Sequence, residues 1–112
     1  MSKLHDDSYL LGILDSAEQI KIFTDNMSID EFEKDLKCNL AVQSLFEIIG
    51  EATKNLSTEL REKNPQVDWK AMAGTRDILI HQYQNASSER IFKIARNNIP
   101  DLIPKIRSLI KK

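Results

Sequence analysis

Arg76, Asp77, His81 and Tyr83 lie close together in Gly74-Thr75-Arg76-Asp77-Ile78-Leu79-Ile80-His81-Gln82-Tyr83, an otherwise largely apolar segment, and no other stretch combines side chains so capable of chemistry. At about 100° of rotation per helical residue, Asp77 and His81 adjoin on one face, so the carboxylate can accept a proton from one imidazole nitrogen and fix the tautomer presented by the other. Arg76 and Tyr83 share a face. Arg76 and His81 are separated by roughly 140°, which a long guanidinium stem can bridge where both flank a groove at the end of the helix, one that a second subunit could complete. An Arg that clamps phosphate oxygens beside a His of ordinary pKa, about 6.5, suits phosphodiester cleavage without a metal.

Each residue alone also has a plain structural reading. Arg76 and Asp77 suit a solvated helix surface, His81 a capping or hydrogen-bonded surface position, and Tyr83 the edge of a core. An Arg and a His five residues apart recur often by chance in helical proteins, and structural ion pairs outnumber catalytic ones. The pair by itself is not a site.

The elements that must position these residues read as helices. Asp7 or Ser8 can cap a first helix whose apolar positions Leu10, Leu11, Leu14, Ala17, Ile20 and Ile22 run to about Thr24. Ser28 and Glu31 form a capping-box signature ahead of a short helical turn with Ile29, Phe32 and Leu36. Ala41, Leu45, Ile48, Ile49, Ala52, Leu56 and Leu60 trace a stripe along one long central helix from about Lys37 to Arg61, ended by Pro65. Asp68 can cap a helix from Trp69 to about Tyr83, with Trp69 and Met72 as core or interface fillers. After a loop at Gln84, Asn85 and Ala86, Ser87 or Ser88 starts another helix, and Pro100 suits the first turn of the last. Gly50 inside the central helix costs up to about 1 kcal/mol relative to Ala, which favours a close helix approach there.

Composition narrows the function classes. With 3 Gly and 3 Pro in 112 residues, turns are scarce and an all-α antiparallel bundle of about five helices, one domain over residues 1–112, is expected. A formal net charge of -1 argues against a broad basic surface, so any nucleic-acid contact is local. The single Cys38 excludes an internal disulfide and reads as inert packing. No segment approaches the roughly 20 apolar residues of a membrane span, and a cytoplasmic protein is expected.

In its extended context the chain resembles the HepT-like ribonuclease toxins of the HEPN superfamily, marked by Arg, four residues, His, one residue, Tyr, here Arg76, His81 and Tyr83. Glu47-Ile48-Ile49-Gly50-Glu51-Ala52 is similar to the family's central-helix signature, and Pro65 through Trp69 with Gly74 to its approach to the motif. The resemblance implies a HEPN-like bundle, usually a homodimer, in which the motifs of two subunits face one cleft where RNA is cut with no metal or cofactor. It also implies a minimal nucleotidyltransferase antitoxin (MntA-type) that transfers adenylate from ATP to Tyr83 and blocks the cleft.

Carried over by residue, the resemblance makes His81 the general acid/base for attack of a ribose 2′-OH on the neighbouring phosphate and Arg76 the stabiliser of the pentavalent charge. Asp77, at the polar position that commonly follows the family's Arg, has a supporting role, either orienting His81 or organising the motif. Glu51 could face the cleft, although a solvated helix carboxylate is the commoner setting. The chain departs from the family pattern in lacking the Gly and Asp often found after the motif and in carrying Leu45 where Asn is frequent. Two other classes stay open: a non-catalytic module that binds nucleotide or a partner protein, and a structural helical subunit that dimerises through the central helix.

Overall fold

The computed structural model describes residues 2–81 and 87–110, with side chains over 5–75 and 88–110. Among the described residues there is no strand, and seven helices follow in order: α1 (Ser2–Thr24), α2 (Ile29–Lys34), α3 (Leu36–Lys54), α4 (Thr58–Lys63), α5 (Trp69–His81), α6 (Ser87–Asn97) and α7 (Ile99–Ile110). Five are long and make the expected bundle; α2 and α4 have only 6 residues each.

Local capping explains most of the boundaries. Ser28 Oγ accepts from the Glu31 N–H at 3.1 Å while Glu31 Oε1 accepts from the Ser28 N–H at 2.9 Å, the reciprocal box expected at the head of α2. Asp35 Oδ1 accepts from the Cys38 N–H at 3.0 Å and opens α3, and Asp68 Oδ1 accepts from the Ala71 N–H at 3.0 Å and opens α5. Asn26 takes a left-handed φ of 66°, which Asn tolerates better than most residues, and turns the chain out of α1. Arg96 of α6 then donates to the carbonyls of Thr24 at 2.9 Å and Met27 at 3.3 Å, satisfying acceptors left over at the end of α1.

Three expectations need correction. The first helix starts at Ser2, well before Asp7 or Ser8, and carries Asp6 inside it, buried, its carboxylate accepting from the Ser57 N–H (2.8 Å) and hydroxyl (2.7 Å). The helix from Lys37 to Arg61 is two helices, broken at Asn55-Leu56-Ser57 ahead of Pro65. Asn55 Nδ2 folds back on the Glu51 carbonyl at 2.9 Å and Ser57 caps α4 through the Leu60 N–H at 3.2 Å, so local polar side chains outcompete a continuous helix. The buried stripe of α3 is also rotated: Asn39, Val42, Phe46, Ile49, Ala52 and Thr53 are buried, whereas Ile48 is 46% exposed. Both rows are apolar enough to serve, and only the neighbours decide which one faces inward.

α1 lies along α3 on one side and α7 on another, α5 rests on α3, and α6 packs on α1, α2 and α7. One contiguous core joins Leu10, Ile13 and Ile20 of α1 to Val42, Phe46 and Ile49 of α3 and Ile103 and Ile106 of α7. Phe32 of α2 reaches Phe92 of α6 with ring centroids 5.2 Å apart, and the Arg96 guanidinium stands 5.8 Å from the Phe92 centroid. No helix among the described residues is long and apolar enough to cross a membrane.

Candidate active site on the fifth helix

α5 is anchored at its N-terminal half. Trp69 and Met72 are buried, as expected of core fillers, and Trp69 Nε1 donates to the Asn64 carbonyl at 2.9 Å, tying the helix start to the end of α4. Thr75, also buried, donates to the Met72 carbonyl at 2.6 Å and so carries its hydroxyl into the core without an orphan proton.

From Thr75 the helix continues unbroken to His81, so Arg76, Asp77 and His81 lie on its last turns. At 1.5 Å per residue, the backbones of Arg76 and His81 are about 7.5 Å apart along the axis. The side chains of these three residues lie outside the described residues, and so does Tyr83. Glu51 is exposed on α3.

Beside the N-terminal half of α5 is a cavity of about 340 Å³ between α3, α5 and the α6–α7 junction, lined by Phe46, Ile49, Met72, Thr75, Ile99 and Leu102 among others. Its walls are mainly apolar, and its one cation among the described lining residues, Lys105, is paired with Asp101 at 3.2 Å. Among the described lining residues a phosphodiester would find no unpaired cation. Gly74 borders it, and a Cβ added there would meet nothing within 4 Å.

α6 is tied to α3 at its first turn. Asn39 Nδ2 donates to Ser88 Oγ at 2.9 Å, and Gln43 Nε2 donates to Asn39 Oδ1 at 2.8 Å. Sequence reasoning passed over Asn39. Its signal was available: an amide at a position that continues the Val42, Phe46, Ile49 row, where an aliphatic side chain would be the default.

Cys38 faces the other flank of α3, its thiol 3.7 Å from the Phe23 carbonyl and 3.8 Å from Met27 Sδ. Burial, and secondarily the Asp35 carboxylate, push the thiol above its ordinary pKa, so it stays protonated and unreactive at neutral pH, in line with inert packing. Among the described residues no three His, Cys, Asp or Glu side chains gather as a metal site.

Comparison with known proteins gives a consistent result. The family model described as "Ribonuclease HepT-like" matches residues 13–109. "Putative RNase MJ0127" of Methanocaldococcus jannaschii is 43% identical over 99% of this chain and 92% of its own length. "Putative RNase MJ1380" of the same organism is 37% identical over 91% of this chain and 94% of its own. "Probable ribonuclease HepT" of Thermococcus cleftensis is 36% identical over 99% of this chain and 100% of its own. No solved structure matches the chain.

Proposed function

The chain belongs to the HepT-like ribonuclease family, and from that premise we propose that it is a metal-independent endoribonuclease, folding as one domain and acting in the cytoplasm as the toxin of a toxin–antitoxin pair. The observation that carries this reading is the unbroken course of α5 through Arg76 and His81, inside a match that spans nearly the whole chain.

His81 takes the proton of a ribose 2′-OH, and the oxygen attacks the adjacent phosphorus. Arg76 holds the non-bridging oxygens as negative charge builds in the pentavalent transition state. The bond to the 5′-oxygen breaks, a protonated imidazole returns a proton to that oxygen, and the products are a cyclic phosphate end and a free hydroxyl. Asp77, one helical turn before His81, orients it. Two copies of the chain would supply one cleft. Silencing falls to a nucleotidyltransferase antitoxin: the Tyr83 phenolic oxygen attacks the α-phosphorus of ATP, pyrophosphate leaves, and the bound adenylate places a negative phosphate where RNA would lie.

The test is cleavage of tRNA and mRNA by the purified protein in EDTA, beside Arg76→Ala and His81→Ala, with intact masses recorded. Cleavage by the parent protein alone supports the reading. No cleavage from a protein of unmodified mass moves the function to a non-catalytic binding module, and no cleavage with an added adenylate mass identifies a toxin already silenced.

A further inference from the structure

Among the described residues, six large apolar side chains stay exposed, and three of them belong to α3: Leu36 at 69%, Leu40 at 54% and Ile48 at 46%. With about 100° of rotation per residue, Leu36, Leu40, Ser44 and Ile48 each lie about 40° round from the one before, so they form one ridge of the kind by which helices interlock. Ser44 is exposed, as are Lys37, Glu47 and Glu51 beside the ridge. The buried row of Val42, Phe46 and Ile49 is a different one, turned toward α1 and α5. Single exposed apolar residues need no cause, but a row of them along the central helix marks a surface that something covers.

The order of the ridge says what covers it. When two copies of α3 lie antiparallel about a twofold axis at Ser44, residues equally far before and after Ser44 face each other. Leu40, four residues before, then meets the second copy's Ile48, four after, and Lys37, seven before, meets the second copy's Glu51, seven after. Symmetry makes each contact twice, and the small Ser44 at the crossing lets the axes come within the 8–10 Å or so of packed helices. A carboxylate accepts several donors, so Glu51 can take this Lys37 besides a partner in its own chain. Other registers lose the match. An axis at Glu47 sets two carboxylates face to face and Leu40 against Lys54, and an axis at Leu40 sets Leu36 against Ser44 and carries Ile48 past the start of the facing α3.

We propose that the solvent face of α3 is a self-association surface, occupied by the same face of a second copy lying antiparallel about Ser44. This goes beyond the ribonuclease reading and does not rest on it. α5 packs on the side of α3 that carries Phe46 and Ile49, so the α5 helices stay outside this contact. The shared cleft of the proposed function would use another face, and two such twofold contacts together close into a tetramer.

Sedimentation across a concentration series tests the surface without RNA. Leu40→Gln with Ile48→Gln alters two exposed helical positions, so its circular dichroism should be parental while the mass of the assembly falls by half. In a Cys38→Ala background, Ser44→Cys should give a disulfide-linked pair on mild oxidation, because a residue on the axis meets its own equivalent. Lys37→Cys should not link, its equivalent lying about 20 Å away at 1.5 Å per residue. A parent of single-chain mass at every concentration would overturn the proposal. So would an undiminished mass in the Leu40 and Ile48 variant, or linking at Lys37→Cys as complete as at Ser44→Cys. None of these readings involves cleavage, so the ribonuclease function stands or fails separately.

Discussion

Asp6, near the start of α1, closes a two-point contact with Ser57 across 51 residues of chain: one carboxylate oxygen takes the Ser57 N–H and the other its hydroxyl. The same Ser57 caps α4, so the carboxylate fixes where α3 gives way to α4 and holds that corner on α1. Hydrogen bonds to a charged group contribute about 1.5–3 kcal/mol each way the pair is broken. Asp6→Ala should lower stability by about 2–3 kcal/mol, read from the denaturant midpoint at constant m. A loss under about 0.5 kcal/mol would mean that the corner is held by packing alone.

Phe46 is buried at the centre of α3 and also walls the cavity beside α5. Truncation adds empty volume to a site that already contains some, and core Phe→Ala changes cost about 3–5 kcal/mol. Phe46→Ala should show that loss in chemical unfolding.

Gly74 lies inside α5, where a Cβ would meet nothing within 4 Å. Replacing a helical Gly by Ala removes chain entropy from the unfolded state at no steric cost. Gly74→Ala should therefore stabilise the chain by about 0.5–1 kcal/mol. If stability rises while RNA cleavage is lost, the open space beside Gly74 is filled in the working assembly by RNA or a second subunit.

Tyr83→Phe removes the phenolic oxygen and leaves Arg76 and His81 in place. It should keep ribonuclease activity, gain no adenylate mass when incubated with ATP and the nucleotidyltransferase, and arrest growth even when the antitoxin is co-expressed. Normal growth in that strain would remove Tyr83 from the proposed regulation.

The Cys38 thiol ionises less readily in the folded chain than its ordinary value of 9.0, because burial and then Asp35 disfavour the thiolate. With the folded value raised, its contribution to stability is fully present below the unfolded pKa and is lost as pH rises through the folded one. Stability should decline from about pH 9 upward more steeply than in Cys38→Ala, and alkylation at pH 8 should be slower than for a model thiol. Equal alkaline slopes in the two proteins would count against a partly buried neutral thiol.

Much of this fold is local in origin, and those parts are readable in the chain itself. Ser28 with Glu31 and Asp68 before Trp69 cap their helices because a short side chain reaches its own backbone wherever the rest of the molecule lies. The scarcity of Gly and Pro and the helical spacing of Leu and Ile likewise suffice for an all-α bundle. The arrangement of Arg76, His81 and Tyr83, with its family context, directs attention to α5 for the same reason: it is a pattern of neighbours in sequence.

What depends on partners distant in the chain had to come from the tertiary structure. Two apolar rows run along α3, and only the placement of α1 and α5 selects the row of Val42, Phe46 and Ile49 over that of Ala41, Leu45 and Ile48. The burial of Asp6 is settled by Ser57 and that of Asn39 by Ser88, partners 51 and 49 residues away in the chain. Helical periodicity records which side chains share a face, whereas the burial of a polar group is decided by whether some remote residue can satisfy it.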